Sequence, residues 1–297
     1  MSKKSRCVVI GAKGYIGKHI VAYLKQHYNI VADCYDIVDG SEKNYFKIDM
    51  SERQSVSKMN MDVDYIFDFA GLTGTYVGFD SYEKYVTLNE LSLLNLLDAI
   101  RKSTHRPKVI FPSTRLVYKG YDKALKETDE KESKTIYSTN KLACEGFLKA
   151  YYDSFDIPFT IFRICIPYGN LLSEDYSFGT VGFFIKQAKA GNNIRLYGGG
   201  SIKRTFTHME DLCYQIIEGA FRSESNGETY NVGGETLSLY DAAEIIAKKY
   251  GTNVVAVPWP ERDLRIESGH TYFDDSKIQS LLQMNPYKRL IDFTNDL

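Results

Sequence analysis

The sequence predicts an α/β fold, a doubly wound parallel sheet followed by a smaller C-terminal α/β lobe. Strand-length apolar runs alternate with helix-length segments as far as residue 165, and a glycine-rich turn joins the first run to the first helix. Beyond 165 the alternation loosens into Gly-, Ser- and Asn-rich stretches. Parallel strands need a crossover between them, so the alternation means βαβ units, and right-handed crossovers wind these into an open, Rossmann-type sheet. Residues 1–165 are expected to form a dinucleotide-binding domain and 166–297 a mainly substrate-binding lobe, with the chain crossing between the two.

Taken in order, Cys7–Gly11 reads as the first strand and Gly14–His27 as a helix with Ile16, Ile20 and Leu24 on one stripe. Ile30–Tyr35 and Tyr45–Ile48 are short strands, and Asp49-Met50-Ser51-Glu52 opens a helix. Tyr65–Phe69 is the fourth strand. Ser81–Lys102 is a long helix with a stripe of Leu91, Leu94, Leu97 and Ile100. Lys108–Phe111 is the fifth strand, stopped by Pro112. Ile136–Tyr152 is helical and Phe159–Ile164 is the sixth strand. The lobe is expected from Asn193–Tyr197, Glu210–Arg222, Glu228–Val232, Leu239–Tyr250 and Val254–Val257.

Composition narrows the function classes. The 297 residues carry a formal charge of -1, so nothing draws the chain to nucleic acid or acidic membranes. No apolar run approaches the roughly 18–20 residues of a membrane span. The basic start, Met1 to Ser5, leads straight into a strand pattern with no apolar signal core. Five cysteines stand singly, without C-x-x-C, as reduced thiols of a cytoplasmic protein would. Histidines are dispersed, and no metal site is expected.

Gly11-Ala12-Lys13-Gly14-Tyr15-Ile16-Gly17 lies between a strand and a helix. The first glycine allows the tight turn, the second lets backbone N–H groups approach a pyrophosphate, and the third lets helix and strand pack closely. Asp36 follows Gly17 by 19 residues, near the spacing of an acid that takes ribose hydroxyls. Its charge repels a 2′-phosphate, so NAD(H) is favoured, with NADP(H) as the alternative; Lys13 argues mildly for the latter.

Tyr137 and Lys141 stand four apart at the start of a helix and share a face. An ammonium there lowers the pKa of a phenol, which otherwise lies near 10. Ser113, Thr114 and Arg115 lie just past the fifth strand, at the carboxyl edge where open α/β sheets bind ligands.

With these residues in view, the whole chain resembles the extended short-chain dehydrogenase/reductase family of nucleotide-sugar epimerases, dehydratases and reductases. The resemblance runs through the glycine motif, Asp36, Asp49, Ala70-Gly71, Asn89, Thr114…Val117-Tyr118, Tyr137…Lys141, Arg163…Tyr168-Gly169, Arg204 to Asp211, and Asp274 to Lys277. It implies a triad of Thr114, Tyr137 and Lys141, with Tyr137 as acid/base and hydride exchanged with a sugar carbon, most often C4. The hydroxyl falls on Thr114 rather than Ser113 by counting back from Val117. It further implies cofactor contacts from Gly11, Gly14, Tyr15, Ile16, Gly17, Asp36, Ile37, Asp49, Met50, Phe69, Ala70, Gly71 and Asn89, with Tyr137 and Lys141. Substrate contacts are expected from Thr73, Arg115, Ile166, Arg204 and Arg265, the two later arginines on the nucleotide and diphosphate. A homodimer through the leucine-striped helix and the Tyr137 helix is also implied.

Two departures bear on the reaction. Dehydratases of this family carry Asp-Glu after the catalytic threonine, whereas this chain has Arg115-Leu116, which offers no acid or base at neutral pH. Many relatives have asparagine where this chain has Ile166. Both features, with the modest length, point to a reductase of a nucleotide-linked 4-keto-6-deoxyhexose. The alternative is a 4-epimerase of the UDP-glucose type that keeps NAD bound. A non-catalytic cofactor sensor is a third reading, opposed by the presence of both Tyr137 and Lys141.

Overall fold

A computed structural model describes residues 5–172 and 178–297. The strands of the alternating half are β1 (Cys7–Ile10), β2 (Asp33–Asp36), β3 (Tyr45–Lys47), β4 (Tyr65–Asp68), β5 (Lys108–Thr114) and β6 (Phe159–Ile164). They are followed by β7 (Ile166–Tyr168), β8 (Ile194–Tyr197), β9 (Lys203–His208), β10 (Glu228–Asn231), β11 (Glu235–Ser238) and β12 (Val254–Val257). Among the described residues the main sheet runs β10-β6-β5-β4-β1-β2-β3, every pair parallel. Smaller sheets, β11-β9-β7 and β12-β8, build the lobe.

Side chains on a strand alternate between faces, and a parallel sheet covered on both sides must be apolar on both. Val8, Val9 and Ile10 are accordingly all buried. Val9 packs with Ile20 and Leu24 of the Tyr15–Tyr28 helix and with Leu212 and Ile216 of the Met209–Phe221 helix. Val8 and Ile10 pack with Leu93, Leu96 and Leu97 of the Ser92–Lys102 helix and Cys144 and Leu148 of the Ile136–Phe155 helix. A separate core joins Ile166, Tyr168, Val181, Phe184, Leu196, Phe206 and Ile246 in the lobe.

Three elements differ from the sequence expectation. Pro112 does not stop β5, which continues to Thr114. Past Ile110 the strand has lost β4 and pairs with β6 alone, so the missing proline N–H costs no bond on the β4 side. Residues 209–231 do not belong to the lobe: β10 extends the main sheet beside β6, with Tyr230 stacked on Phe162. The long helix of Ser81–Lys102 forms from Tyr82 on without a break but is not α throughout: a π-helical segment, Val86–Leu91, lies between Tyr82–Tyr85 and Ser92–Lys102. Leu97 and Ile100 of the expected stripe are buried in their own chain, while Leu91 is exposed. No helix among the described residues is long and apolar enough to cross a membrane.

Candidate active site

The glycine turn is as tight as its residues allow. Gly11 has φ +74°, and a Cβ there would lie 2.7 Å from the Ala70 nitrogen; one on Gly17 would lie 2.1 Å from the Gly11 carbonyl oxygen. Only glycine fits both positions. The turn therefore exposes bare backbone, capped by the N-terminus of the Tyr15–Tyr28 helix, toward two adjoining hollows. One, of about 310 Å³, is lined by Gly11, Gly14, Asp36, Ile37, Asp49, Met50, Phe69, Ala70 and Gly71. The other, of about 500 Å³, is lined by Gly14, Tyr15, Ile16, Gly17, Phe69, Gly71, Thr73, Thr114, Arg115, Tyr137, Lys141 and Ile166.

The second hollow brings the predicted triad together. Thr114 closes β5 and Tyr137 lies in the first turn of its helix. That turn is fixed by a capping box: Ser138 N–H donates to the Thr135 hydroxyl at 3.1 Å, and Thr135 N–H to Ser138 Oγ at 3.1 Å. Burial pushes the Tyr137 phenol up to about 12, opposed by the nearby Thr114 hydroxyl and by the charge of Arg115. Lys141, expected to do this, has its ammonium 4.2 Å from the centre of the Phe111 ring. Burial lowers the pKa of Lys141, and the charges of Asp68 and Glu145 partly restore it. Asp68, buried at the end of β4, is pushed up to about 6 by burial, with Lys141 pulling the other way.

Behind the triad lies a cluster that the sequence pattern does not assemble. Ser113 Oγ donates to Glu145 at 2.5 Å, and Glu145 takes Arg163 in two parallel bonds of 2.9 and 2.6 Å. Arg163 also donates to the Tyr118 hydroxyl at 2.7 Å, which donates to Asn231 at 2.7 Å. The cluster ties β5, β6, β10 and the Tyr137 helix together. Arg163 and Tyr118 stand within the resembling motifs; Glu145, four residues beyond Lys141, is the signal that could have found the rest. Asp68 is another, a carboxylate between two phenylalanines just before Ala70-Gly71.

Other predicted residues take varied places. Asp36 faces the smaller hollow and accepts from Lys13 N at 2.8 Å and Ile37 N at 2.8 Å. Lys13 itself pairs with Glu42 at 2.6 Å. Asp49 accepts from Ser51, and Asn95 holds the Met50 carbonyl. Asn89 is buried and braces the loop after β4: its side chain accepts from Leu72 N at 2.7 Å and donates to Leu72 O at 3.2 Å. Tyr15 donates to the Gly169 carbonyl at 2.6 Å and stacks on Phe178. Arg204 is 1% exposed and closed on itself, paired with Glu267 at 2.7 Å and with the carbonyls of Lys203 and Gly269. Arg265 is exposed and pairs with Glu261 on its own helical turn, outside both hollows. His208 caps the Met209–Phe221 helix by accepting from Glu210 N at 3.3 Å, and burial lowers it to about 4.

A sequence profile described as the NAD dependent epimerase/dehydratase family matches residues 7–233. The chain belongs to this family. The chain is 27% identical over 313 residues to an uncharacterised UDP-glucose epimerase, YtcB, of Bacillus subtilis (strain 168), covering 98% of this chain and 96% of that one. It is 26% identical to the UDP-N-acetyl-alpha-D-glucosaminuronate decarboxylase of Bacillus cytotoxicus, over 86% of this chain and 84% of that one. In fold it is similar to the UDP-glucuronic acid 4-epimerase of Bacillus cereus, solved with UDP-glucuronic acid and NAD. There the TM-score is 0.84 with 23% identity, over 98% of this chain and 96% of that one.

The residues fit the family's cofactor, NAD(H). Bare glycine backbone lies where any side chain would collide, a helix N-terminus faces the pyrophosphate position, and an acid lines the hollow beyond. When bound, NAD(H) would supply hydride transfer.

Proposed function

We propose that this enzyme acts on nucleotide-linked sugars as a 4-epimerase, keeping NAD bound between turnovers. The observation that carries this is the convergence of Thr114, Tyr137 and Lys141 on one hollow that adjoins the glycine turn. Tyr137 takes the proton from the sugar hydroxyl as the carbon is oxidised, and returns it on reduction. Thr114 holds the same oxygen, and Lys141 holds the cofactor's ribose, its charge compensating the phenolate. The sequence Arg115-Leu116 supplies no acid/base pair for eliminating water. The names of similar proteins, one a UDP-glucose epimerase and one a UDP-glucuronic acid 4-epimerase, support the same class.

A second reading keeps the site and changes the reaction to reduction of a nucleotide-linked 4-keto-6-deoxyhexose. Ile166 favours it, since an apolar wall suits a deoxygenated sugar. One assay separates the two. Purified protein with no added cofactor, given UDP- or dTDP-linked hexoses, is expected to equilibrate the C4 epimers and to release NAD on denaturation. Failure to do so, with NADH or NADPH consumed on 4-keto-6-deoxy sugars, would establish the reductase instead.

We further propose that two copies associate through the Val86–Leu91 segment and the Ile136–Phe155 helix, where Val86 and Leu91 are each 43% exposed. A monomer in sedimentation at micromolar concentration rejects this.

A further inference from the structure

Arg115 follows Thr114 directly and lines the hollow beside Tyr137, close enough for its charge to act on the phenol. Its Nη1 donates to the hydroxyl of Thr271, a neutral partner, at 3.0 Å. Among the described residues no carboxylate lies within ion-pair distance of it. The nearby guanidiniums are closed off, Arg163 by Glu145 and Arg204 by Glu267. Arg115 is thus a half-buried cation that lines the substrate space with no counter-charge among the described residues. A guanidinium so placed is free to take an anionic group of a ligand.

We propose that Arg115 binds a carboxylate at C6 of the sugar, so that the substrate is a nucleotide-linked hexuronic acid. This rests on the reading of C4 as the reacting carbon. C4 is flanked by C3 and C5, and the proposal places the C5 side, with its C6 substituent, toward Arg115, the residue that follows Thr114. A guanidinium grips a carboxylate through two parallel charge-assisted bonds, which the hydroxymethyl group of a neutral hexose cannot match. Leu116 and Ile166, which line the same hollow, offer no hydrogen bond to compete.

The test compares UDP-glucuronate, UDP-glucose and UDP by calorimetric binding and steady-state kinetics, with dTDP-linked pairs run alongside. Wild type is expected to favour the uronate in kcat/KM by about a hundredfold, in line with a charge-assisted bidentate pair. Arg115→Leu should lower kcat/KM for the uronate by about a hundredfold, mostly through KM, and bring the ratio of the two sugars near one. Arg115→Lys should recover part of the preference, which also shows that the loss is not misfolding. Equal use of both sugars by wild type overturns the proposal. So does an Arg115→Leu loss that is the same for the uronate, the hexose and UDP, which assigns Arg115 to the diphosphate. Absence of binding to every nucleotide probe defeats the nucleotide-sugar reading itself, a different failure from either of these.

Discussion

Ser113 and Thr114 are neighbours on one strand, and their hydroxyls serve opposite sides of it. Ser113 meets Glu145 in a cluster where Arg163, Tyr118 and Asn231 are each paired with another member. Thr114 and Tyr137 line one hollow, where Arg115 has no carboxylate partner among the described residues and Lys141 rests on a ring face. Polar groups that satisfy one another hold elements together; polar groups left open to a cleft are available to a ligand. The same strand therefore carries a structural face and a chemical face, separated by the alternation of its side chains.

The largest effect expected on the chemical face is that of Tyr137→Phe. It removes the proposed proton carrier and should lower kcat by about 10²–10⁴, with urea unfolding little changed. Turnover within threefold of wild type would break the assignment. On the structural face, Glu145→Ala leaves Arg163 buried without its partner and should cost about 3–5 kcal/mol in denaturant unfolding. A loss under about 1 kcal/mol would place the stabilising role elsewhere.

Asp68, buried at the end of β4 under the influence of Lys141, gives a pH signature. Its folded pKa of about 6 stands above the ordinary 3.8, so the folded state holds the proton more tightly than the unfolded chain. Its contribution is fully present below about pH 4 and is lost as pH rises through 6, roughly 3 kcal/mol in all. Asp68→Asn should therefore gain stability relative to wild type across that window and hold the gain at pH 7 and above. A difference between the two proteins that stays flat from pH 4 to 7 contradicts this. The finest comparison pairs the adjacent hydroxyls. Thr114→Val should slow turnover about tenfold or more, while Ser113→Ala should mainly lower stability, by about 1–3 kcal/mol. The reverse pattern would exchange the two faces.

Much of this was legible in the sequence because it depends on local rules. Glycine spacing fixes the turn between β1 and its helix, and a four-residue spacing puts Tyr137 and Lys141 on one face. Counting within a resembling motif selected Thr114 over Ser113, and Thr114 lines the same hollow as Tyr137. What escaped depends on contacts distant in the chain. β10 belongs to the main sheet because of its pairing with β6, some 70 residues earlier, which no local pattern announces. Pro112 looked like a stop because the sequence does not say that β4 ends first. Arg204 was expected at the nucleotide, yet Glu267, 63 residues away, holds it in a closed pair. Arg115 is the inverse case: that it has no carboxylate partner among the described residues is visible only once its neighbours are placed.

The fate of the hydrogen at C4 tests the proposed chemistry most directly. The purified protein, with no cofactor added, is given a UDP-sugar deuterated at C4, and both epimers are followed by NMR. Hydrogen that leaves and returns within one closed site is not exchanged with water, so the product epimer should keep its deuterium. Tyr137→Phe should abolish the conversion and Ser113→Ala should preserve it. Loss of the label to solvent, or conversion that persists without the Tyr137 hydroxyl, would contradict this chemistry.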